Sequence, residues 1–260
     1  MKKFLSASYM VIVFGFLYAP ILLLIFFSFN SSNSNVNFDG FSFRWYIELF
    51  NDSEILSALL NTLVIATLSS VISTIIGTAA AIGLSNFKKW HKKAVMNVTY
   101  IPVLNPDIIT GISLLLLFIA FQIPTGFLTV LLAHITFDIP YVILSVTPRL
   151  RHVDPRLYEA AQDLGAPPVR AFFKGVFPQL IPGIMSAFLM AFTLSIDDFI
   201  VTFFVRGNAF STLSTVIYTI TKRKIPLSIN ALCALMLVAV LLVLIAVNIF
   251  DSKKARENAK

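Results

Sequence analysis

Four aspartates lie inside long apolar blocks of this chain: Asp107, Asp138, Asp197 and Asp198. A carboxylate at membrane depth is costly, and such residues usually mark a transport pathway or a functional pair. Some of them could instead be structural, capping broken helices or pairing with a neighbouring subunit. Adjacent helical residues diverge by about 100°, so Asp197 and Asp198 can both face one pathway only if the helix unwinds between them.

The side chains around these aspartates indicate what kind of solute could follow such a pathway. Negative groups at membrane depth select cations, and aromatic faces attract ammonium groups while tolerating methylene stems. Aromatic residues flank the aspartates in sequence, although most of the 25 phenylalanines must be core or lipid-facing residues. The combination favours a flexible organic polycation over a sugar or a phosphate. The candidate substrate path consists of Asp107, Asp138, Tyr141, Asp197, Asp198 and Phe199.

The sequence contains no pattern that predicts catalysis, nucleotide binding or a metal site. The phosphate-binding pattern G-x-x-x-x-G-K-[ST] is absent. Cys233 is the only cysteine, and His91, His134 and His152 are scattered, so no disulfide and no metal site is expected. We therefore expect no catalytic residue and no cofactor on this chain. Any energy that drives transport must then come from another subunit.

The apolar residues are gathered into blocks that are long enough to cross a membrane. Hydrophobic residues make up 57% of the chain and charged residues 13%, which is unlike an ordinary soluble domain. About 20 apolar residues suffice for a helix to span the hydrocarbon core. We therefore predict an all-α, multi-pass membrane protein with one transmembrane domain over residues 1–260, and a kink in the third span at its prolines. The six predicted spans are 8–29, 59–84, 94–121, 125–147, 177–205 and 229–250.

The basic residues predict how these spans are oriented. With the amino terminus inside, fifteen of the 20 Lys and Arg residues fall on the cytoplasmic side and five on the outer side. This bias follows the positive-inside rule and places both termini in the cytoplasm. The cluster Lys222, Arg223 and Lys224 is discordant, and contact with a partner protein is the one explanation we have for it. The net charge of +7 is divided among separate clusters, which argues against nucleic acid as a partner.

The polar interval after the fourth block predicts a helix, a sharp turn and a second short helix. Asp154 is suited to cap the first helix, and Gly165 can take the left-handed conformation that ends it. Each helix has an apolar stripe at helical spacing, which must be buried against something. The segment is therefore either an interfacial loop on the lipid headgroups or a docking site for another protein.

The same residues carry a resemblance to a known family. The sequence EAAQDLGA, followed by FP and IPGI, is similar to the EAA loop of ABC importer permeases. The resemblance implies that residues 154–176 form a cytoplasmic coupling segment, which in that family sits in a cleft of the ATPase subunit. Gly175 and Phe177 depart from the usual isoleucine and leucine, and Gly175 is expected to weaken the second helix. The implied coupling residues are Glu159, Ala160, Ala161, Gly165 and Pro178.

Three further segments resemble the permease subunits of spermidine/putrescine importers: IPVLNPDIITGISLLLLF, HITFDIPYVILSVTPRL and LSIDDFIVTFFVRG. The resemblance covers nearly the whole chain. It implies a type I ABC importer permease in the bacterial inner membrane that forms the path for polyamines. The implied partners are a homologous permease subunit, ATPase subunits, an extracytoplasmic binding protein and membrane lipid. ATP and magnesium would bind to the ATPase, and this chain would not be an enzyme.

The sequence alone leaves other functions open. An ABC permease for iron, thiamine or phosphonate would share most of these features, because the binding protein largely sets specificity in the family. A cation-driven secondary carrier could use the buried aspartates as ion ligands, but it would need no ATPase dock and usually shows inverted repeats. A structural membrane subunit without a pathway is disfavoured by the four buried carboxylates.

Overall fold

The computed structural model describes residues 2–34, 36–154, 156–222, 227–239 and 241. The elements in these ranges are helices, apart from an isolated β-bridge between Asn30 and Phe41. This confirms the predicted all-α fold. The helices are α1 (Lys2–Ser28), α2 (Arg44–Asn51), α3 (Ser53–Ser85), α4 (Lys89–Leu104), α5 (Asp107–Ala120), α6 (Phe127–Arg151), α7 (Arg156–Asp163), α8 (Pro168–Ala171), a π-helical turn (Phe172–Val176), α9 (Phe177–Asp197), α10 (Ile200–Val205), α11 (Leu213–Thr221) and α12 (Leu227–Ala239).

Within the described residues, four helical stretches are long and apolar enough to cross a membrane. They are Ser8–Ser28 of α1, the whole of α3, the whole of α6, and Pro168–Asp197, which joins α8, the π-turn and α9. The bent pair α4 and α5 adds a fifth span if it is counted as one. The sixth predicted span, 229–250, begins in α12. Its residues 240 and 242–250 lie outside the described residues, as do Arg223 and Lys224 of the basic cluster.

Two of the predicted spans differ from the observed helices. The third, 94–121, is two helices that meet at an angle of 103°, so the chain is broken at Pro106 and not gently kinked, while Pro102 stays inside α4. The fifth, 177–205, is interrupted after Asp197 and resumes in α10. At its other end the fifth helix begins at Pro168, so the predicted second short helix of the coupling segment is the first part of the membrane helix.

The chain divides into two compact units, residues 1–57 with 217–260 and residues 58–216. In the first unit, the loop after α1 folds around the fully buried side chain of Asn30. Its Nδ2 donates to the carbonyl oxygens of Ser34 (2.8 Å) and Asn37 (2.7 Å), and its Oδ1 accepts the N–H of Asp39. The Asn30 carbonyl accepts the indole N–H of Trp45 at 2.6 Å. These bonds fix the start of α2 against the end of α1.

The second unit is built around α6, which packs against α4, α5, α9 and α10. A buried apolar cluster including Val130 and Val201 joins α6 to α10, and another including Val142 and Ala187 joins α6 to α9. α3 comes close to α6 at Gly77, where an added Cβ would lie 2.6 Å from Cγ1 of Val142. Small residues permit such close approach between helices in lipid. The core therefore fixes α6 against both broken spans.

Candidate functional site

Two helix breaks in the second unit create the candidate site. Pro106 lacks an N–H and forces the residue before it into an extended conformation, and Asn105 has ψ of 137° at the break between α4 and α5. The other break follows Asp197, where Asp198 is extended (φ −63°, ψ 122°) and α10 starts at Ile200. This second break is the unwinding that allows the adjacent residues Asp197 and Asp198 to face the same space.

A cavity of about 470 Å³ lies between the two breaks. Its wall contains three carboxylates and, among the described residues that line it, no Lys, Arg or His. It brings together five of the six residues that the sequence predicts for the substrate path; Asp138 is not in the wall. The lining residues are Pro102, Asp107, Thr110, Phe137, Tyr141, Thr193, Leu194, Asp197, Asp198, Phe199, Ile200 and Val201.

Asp107 and Asp197 are the exposed carboxylates of this cavity. Asp107 is the first residue of α5, and Asp197 is the last residue of α9. Each side chain therefore projects from a helix end at a break, where it can reach the cavity without being covered by the next turn. Tyr141 of α6 and Phe199 of the α9–α10 link add aromatic surface beside them.

Asp198 lines the same cavity, but its carboxylate is engaged by the protein itself. Its Oδ1 accepts the N–H of Val201 at 3.2 Å, and its Oδ2 accepts the N–H of Thr202 at 2.8 Å. The hydroxyl of Thr202 donates to the same Oδ2 at 2.6 Å. Asp198 thus caps the start of α10 in the manner of an N-cap residue, and most of its acceptor capacity is used there.

His134 of α6, only 1% exposed, lies behind this cap. Its Nε2 is 2.8 Å from Oγ1 of Thr202 and 3.4 Å from Oδ2 of Asp198. Its Nδ1 is 2.5 Å from Oγ of Ser195, which in turn lies 3.0 Å from Oγ of Ser69. Sequence reasoning treated this histidine as scattered. The signal that could have indicated it is a histidine in an apolar block together with a serine and a threonine on either side of the Asp pair.

Asp138 is placed differently from the other three aspartates. Its side chain is fully buried in α6, and it does not line the cavity. A place for Asp138 on the substrate path therefore stays a prediction.

The coupling segment has the first helix and the turn that its sequence predicts. Oδ1 of Asp154 accepts the N–H of Arg156 at 2.9 Å at the start of α7. Gly165 has φ of +83°, and Ala166 donates its N–H to the carbonyl of Ala161 at 3.1 Å. This pattern is the Schellman ending that a left-handed glycine permits. The result is a short helix that stops at a defined residue.

α7 and the turn after it present a largely uncovered surface that includes the apolar side chains of Leu157 and Leu164. Every residue of α7 is at least partly exposed, including the implied coupling residues Glu159, Ala160 and Ala161. In the turn that follows, Leu164 is 89% exposed. An apolar surface of this kind on a polar segment is typical of a protein or membrane contact.

The junction between the coupling segment and α9 corrects the interpretation of Gly175. An added Cβ on Gly175 would lie 3.1 Å from the carbonyl oxygen of Leu157, so this glycine is where the π-turn packs against the backbone of α7. It is a contact point and not merely a weak point of a helix. Pro178 lies in the first turn of α9, where it has no N–H to donate. In the π-turn before it, Phe177 donates its N–H to the carbonyl of Phe172, five residues earlier.

Comparison with known proteins identifies the family. Residues 73–256 match the model of the family described as the binding-protein-dependent transport system inner membrane component. This chain belongs to that family. The match includes the cavity, both helix breaks and the coupling segment, so these features belong to a permease of that family.

Two relatives show how far the similarity extends. The chain is 37% identical to the spermidine/putrescine transport system permease protein PotC of Haemophilus influenzae, over 91% of this chain and 92% of the relative. It is 41% identical to the putrescine transport system permease protein PotI of Escherichia coli, over 87% of this chain and 83% of the relative.

A solved structure shows that the fold is shared more widely. The fold resembles a chain from the crystal structure of a bacterial ABC transporter involved in the import of the acidic polysaccharide alginate, with a TM-score of 0.72, 17% identity and 95% of both chains covered. The permease architecture predicted from the sequence is therefore confirmed.

Proposed function

We propose that this chain is a permease subunit of an ATP-driven polyamine importer in the bacterial inner membrane. The observation that carries the proposal is the cavity between the two helix breaks, with Asp107 and Asp197 exposed in its wall. The printed functions of the relatives PotC and PotI support the same substrate class. This function assigns a role to both the charge and the aromatic surface of the site.

The chemistry of a polyamine matches this wall. A polyamine that enters the membrane must give up water around its ammonium groups, and each group then needs a negative partner. Asp107 and Asp197 can supply such partners from two different helices. The methylene chain between the ammonium groups can lie against Tyr141 and Phe199, since aromatic faces attract cations and tolerate alkyl stems. A few separate carboxylates also bind loosely enough to allow release.

The charge of the cavity argues against an anionic solute. A phosphonate or phosphate would need basic or N–H donor groups in the wall, whereas the described lining has three carboxylates and no Lys, Arg or His. Thiamine carries one fixed positive charge and remains a competitor that the transport experiment includes.

The remaining parts of the importer would be other subunits. The exposed surface of α7 would dock in the ATPase, which would bind ATP and magnesium. An extracytoplasmic binding protein would deliver the polyamine, and a homologous permease subunit would complete the pathway; the family description, which names a binding-protein-dependent transport system, supports the first of these partners. The excess of basic residues in the loops assigned to the inside supports cytoplasmic termini and a cytoplasmic coupling segment. No nucleic acid is involved in this scheme.

Uptake of labelled spermidine and putrescine by vesicles that contain the full complex tests the proposal. We expect Asp197→Asn and Asp107→Asn each to raise the KM for polyamine by about tenfold or more, the scale of one lost charge-assisted interaction. Asparagine keeps the shape of the side chain and removes its charge. The matched control is Asp39→Asn, the same change in the exposed loop of the first unit, which should leave KM within about twofold of wild type.

Competition separates the proposal from its alternatives. Unlabelled diamines and triamines should inhibit uptake, whereas thiamine and phosphonates should not. Uptake that is unchanged in both cavity variants, or that is inhibited by phosphonate and not by amines, would refute a polyamine path along these carboxylates.

A further inference from the structure

His134 makes contacts on both sides of the break between α9 and α10. Ser195, on its Nδ1 side, belongs to the last turn of α9, and Thr202, on its Nε2 side, belongs to α10. The two contacts are 2.5 Å and 2.8 Å long. A single side chain from α6 therefore joins the two helix segments that Asp198 separates.

The hydrogen-bond donor and acceptor can be assigned for each contact between Ser195, His134, Thr202 and Asp198. The hydroxyl hydrogen of Thr202 goes to Asp198, so Thr202 can only accept from Nε2 of His134, which carries the hydrogen. In the neutral imidazole, Nδ1 is then the acceptor of the Ser195 hydroxyl. Oγ of Ser195 also lies 3.0 Å from Oγ of Ser69 of α3, whose hydroxyl donates to the carbonyl of Ala66. The hydrogen bonds of assigned direction run from Ser195 through His134 and Thr202 to the carboxylate at the cavity.

Each bond in this chain points its hydrogen towards Asp198. Aligned hydrogen bonds polarise one another, and in a low-dielectric interior a fully satisfied network is strong. The backbone is secured as well, because the Ser214 hydroxyl donates to the carbonyl of Asp198 at 2.8 Å. The region around the break after Asp197 is thus contacted from α3, from α6 and from the first turn of α11.

We infer that His134 is a positioning residue of the cation path: it fixes the break between α9 and α10 so that Asp198 caps α10 and Asp197 faces the cavity. This inference rests on the proposed function for its link to polyamines. It assigns to His134 no contact with the substrate. Without its N–H at Thr202, the first turn of α10 would lose the partner that orients Thr202 towards Asp198, and Asp197 would lose its fixed direction.

Three substitutions of His134 separate hydrogen bonding from packing. His134→Gln places an amide N–H near the position of Nε2 and can still donate to Thr202. His134→Asn can reach only Ser195, and His134→Leu keeps the volume without either bond. We expect KM for polyamine uptake to rise about tenfold in the Leu and Asn variants and no more than about threefold in the Gln variant, since one buried hydrogen bond is at stake. His91→Leu, a change at an exposed histidine of α4, is the control and should match wild type.

A second measurement does not depend on the substrate. In a Cys233→Ser background, Ile200→Cys reports on α10 and Thr193→Cys reports on α9, because both residues line the cavity. His134→Leu should change the rate of modification at position 200 by a water-soluble thiol reagent about threefold or more, and should leave position 193 unchanged. If wild type transports no polyamine, the proposed function fails while this measurement still decides the role of His134.

Two sets of results would overturn the inference. A packing role predicts that the Leu variant transports normally, or that Gln, Asn and Leu are equally impaired. If His134→Leu does not assemble, Thr202→Val removes the same hydroxyl link at nearly constant shape and should raise KM as the Asn variant does. Wild-type KM in both Thr202→Val and His134→Asn, with unchanged labelling at position 200, would exclude His134 as a positioning residue.

Discussion

Neighbouring aspartates in this permease have opposite roles because they lie on opposite sides of a helix end. Asp197 closes α9 and is exposed to the cavity, whereas Asp198 accepts three hydrogen bonds from the first turn of α10. A carboxylate whose charge is already satisfied by donors offers little attraction to a passing cation. One continuous helix would have turned the two side chains about 100° apart. The break leaves the carboxylate of Asp197 exposed to the cavity, while that of Asp198 holds the backbone of α10.

Residue types predicted the acidic character of the site, but they did not predict the hydrogen bonds of His134 behind it. Asp107, Tyr141 and Phe199 could be selected because charged and aromatic groups at membrane depth are informative by themselves. His134 could not, because its partners Ser195 and Thr202 are 61 and 68 residues away in sequence. No local pattern records such a contact. It follows from how α6 packs against the broken helix.

The packing of α3 on α6 leads to a prediction for a single glycine. Gly77→Ala would place a Cβ 2.6 Å from Cγ1 of Val142, and such overpacking costs about 1–3 kcal/mol. We expect a lower melting temperature of the purified complex. Gly83→Ala is the matched control on the same helix, because its Cβ meets nothing within 4 Å. Equal melting temperatures for the two variants would show that α3 and α6 are not in close contact at Gly77 and Val142.

Among the helices, the two breaks differ in how they are specified. The break between α4 and α5 is marked locally by Pro106, which is why the sequence predicted a distortion there. The break after Asp197 has neither proline nor glycine, and it depends on tertiary hydrogen bonds such as that of Ser214 to the carbonyl of Asp198. Apolar periodicity continues through it, so sequence reasoning extended the fifth span to residue 205. Long-range bonds override the local helical preference at this point.

α7 packs at Gly175 against the π-turn that leads into α9. Gly175→Val would press against the carbonyl of Leu157, which an added Cβ would approach to 3.1 Å, and would displace α7 from the π-turn. We expect reduced stimulation of ATPase activity by polyamine-loaded binding protein, with the membrane helices still inserted. Gly83→Val makes the same change where space is open and should retain stimulation. Normal stimulation in Gly175→Val would show that the position of α7 does not affect coupling.

At the scale of the whole molecule, the fold was predicted mainly from composition and the orientation from the distribution of charge. Long apolar blocks can be satisfied only by spanning helices, because lipid offers no partner for a free backbone group. That constraint made the all-α, multi-pass fold predictable from the sequence. Orientation rests on a different quantity, the distribution of Lys and Arg among the loops, and the four lysines around Trp90 contribute much of it.

Cysteine labelling tests this orientation in a Cys233→Ser background. His91→Cys, at the basic start of α4, and Gln162→Cys, in α7, should react with a membrane-impermeant maleimide only after the cells are permeabilised, because fifteen of the 20 basic residues would keep those loops inside. Asp39→Cys, in the loop between α1 and α2, should react in intact cells. All three positions are exposed, so a lack of reaction before permeabilisation reflects the side of the membrane and not burial. Labelling of position 162 in intact cells would place the coupling segment outside, where no ATPase could dock, and would contradict the importer assignment together with the topology.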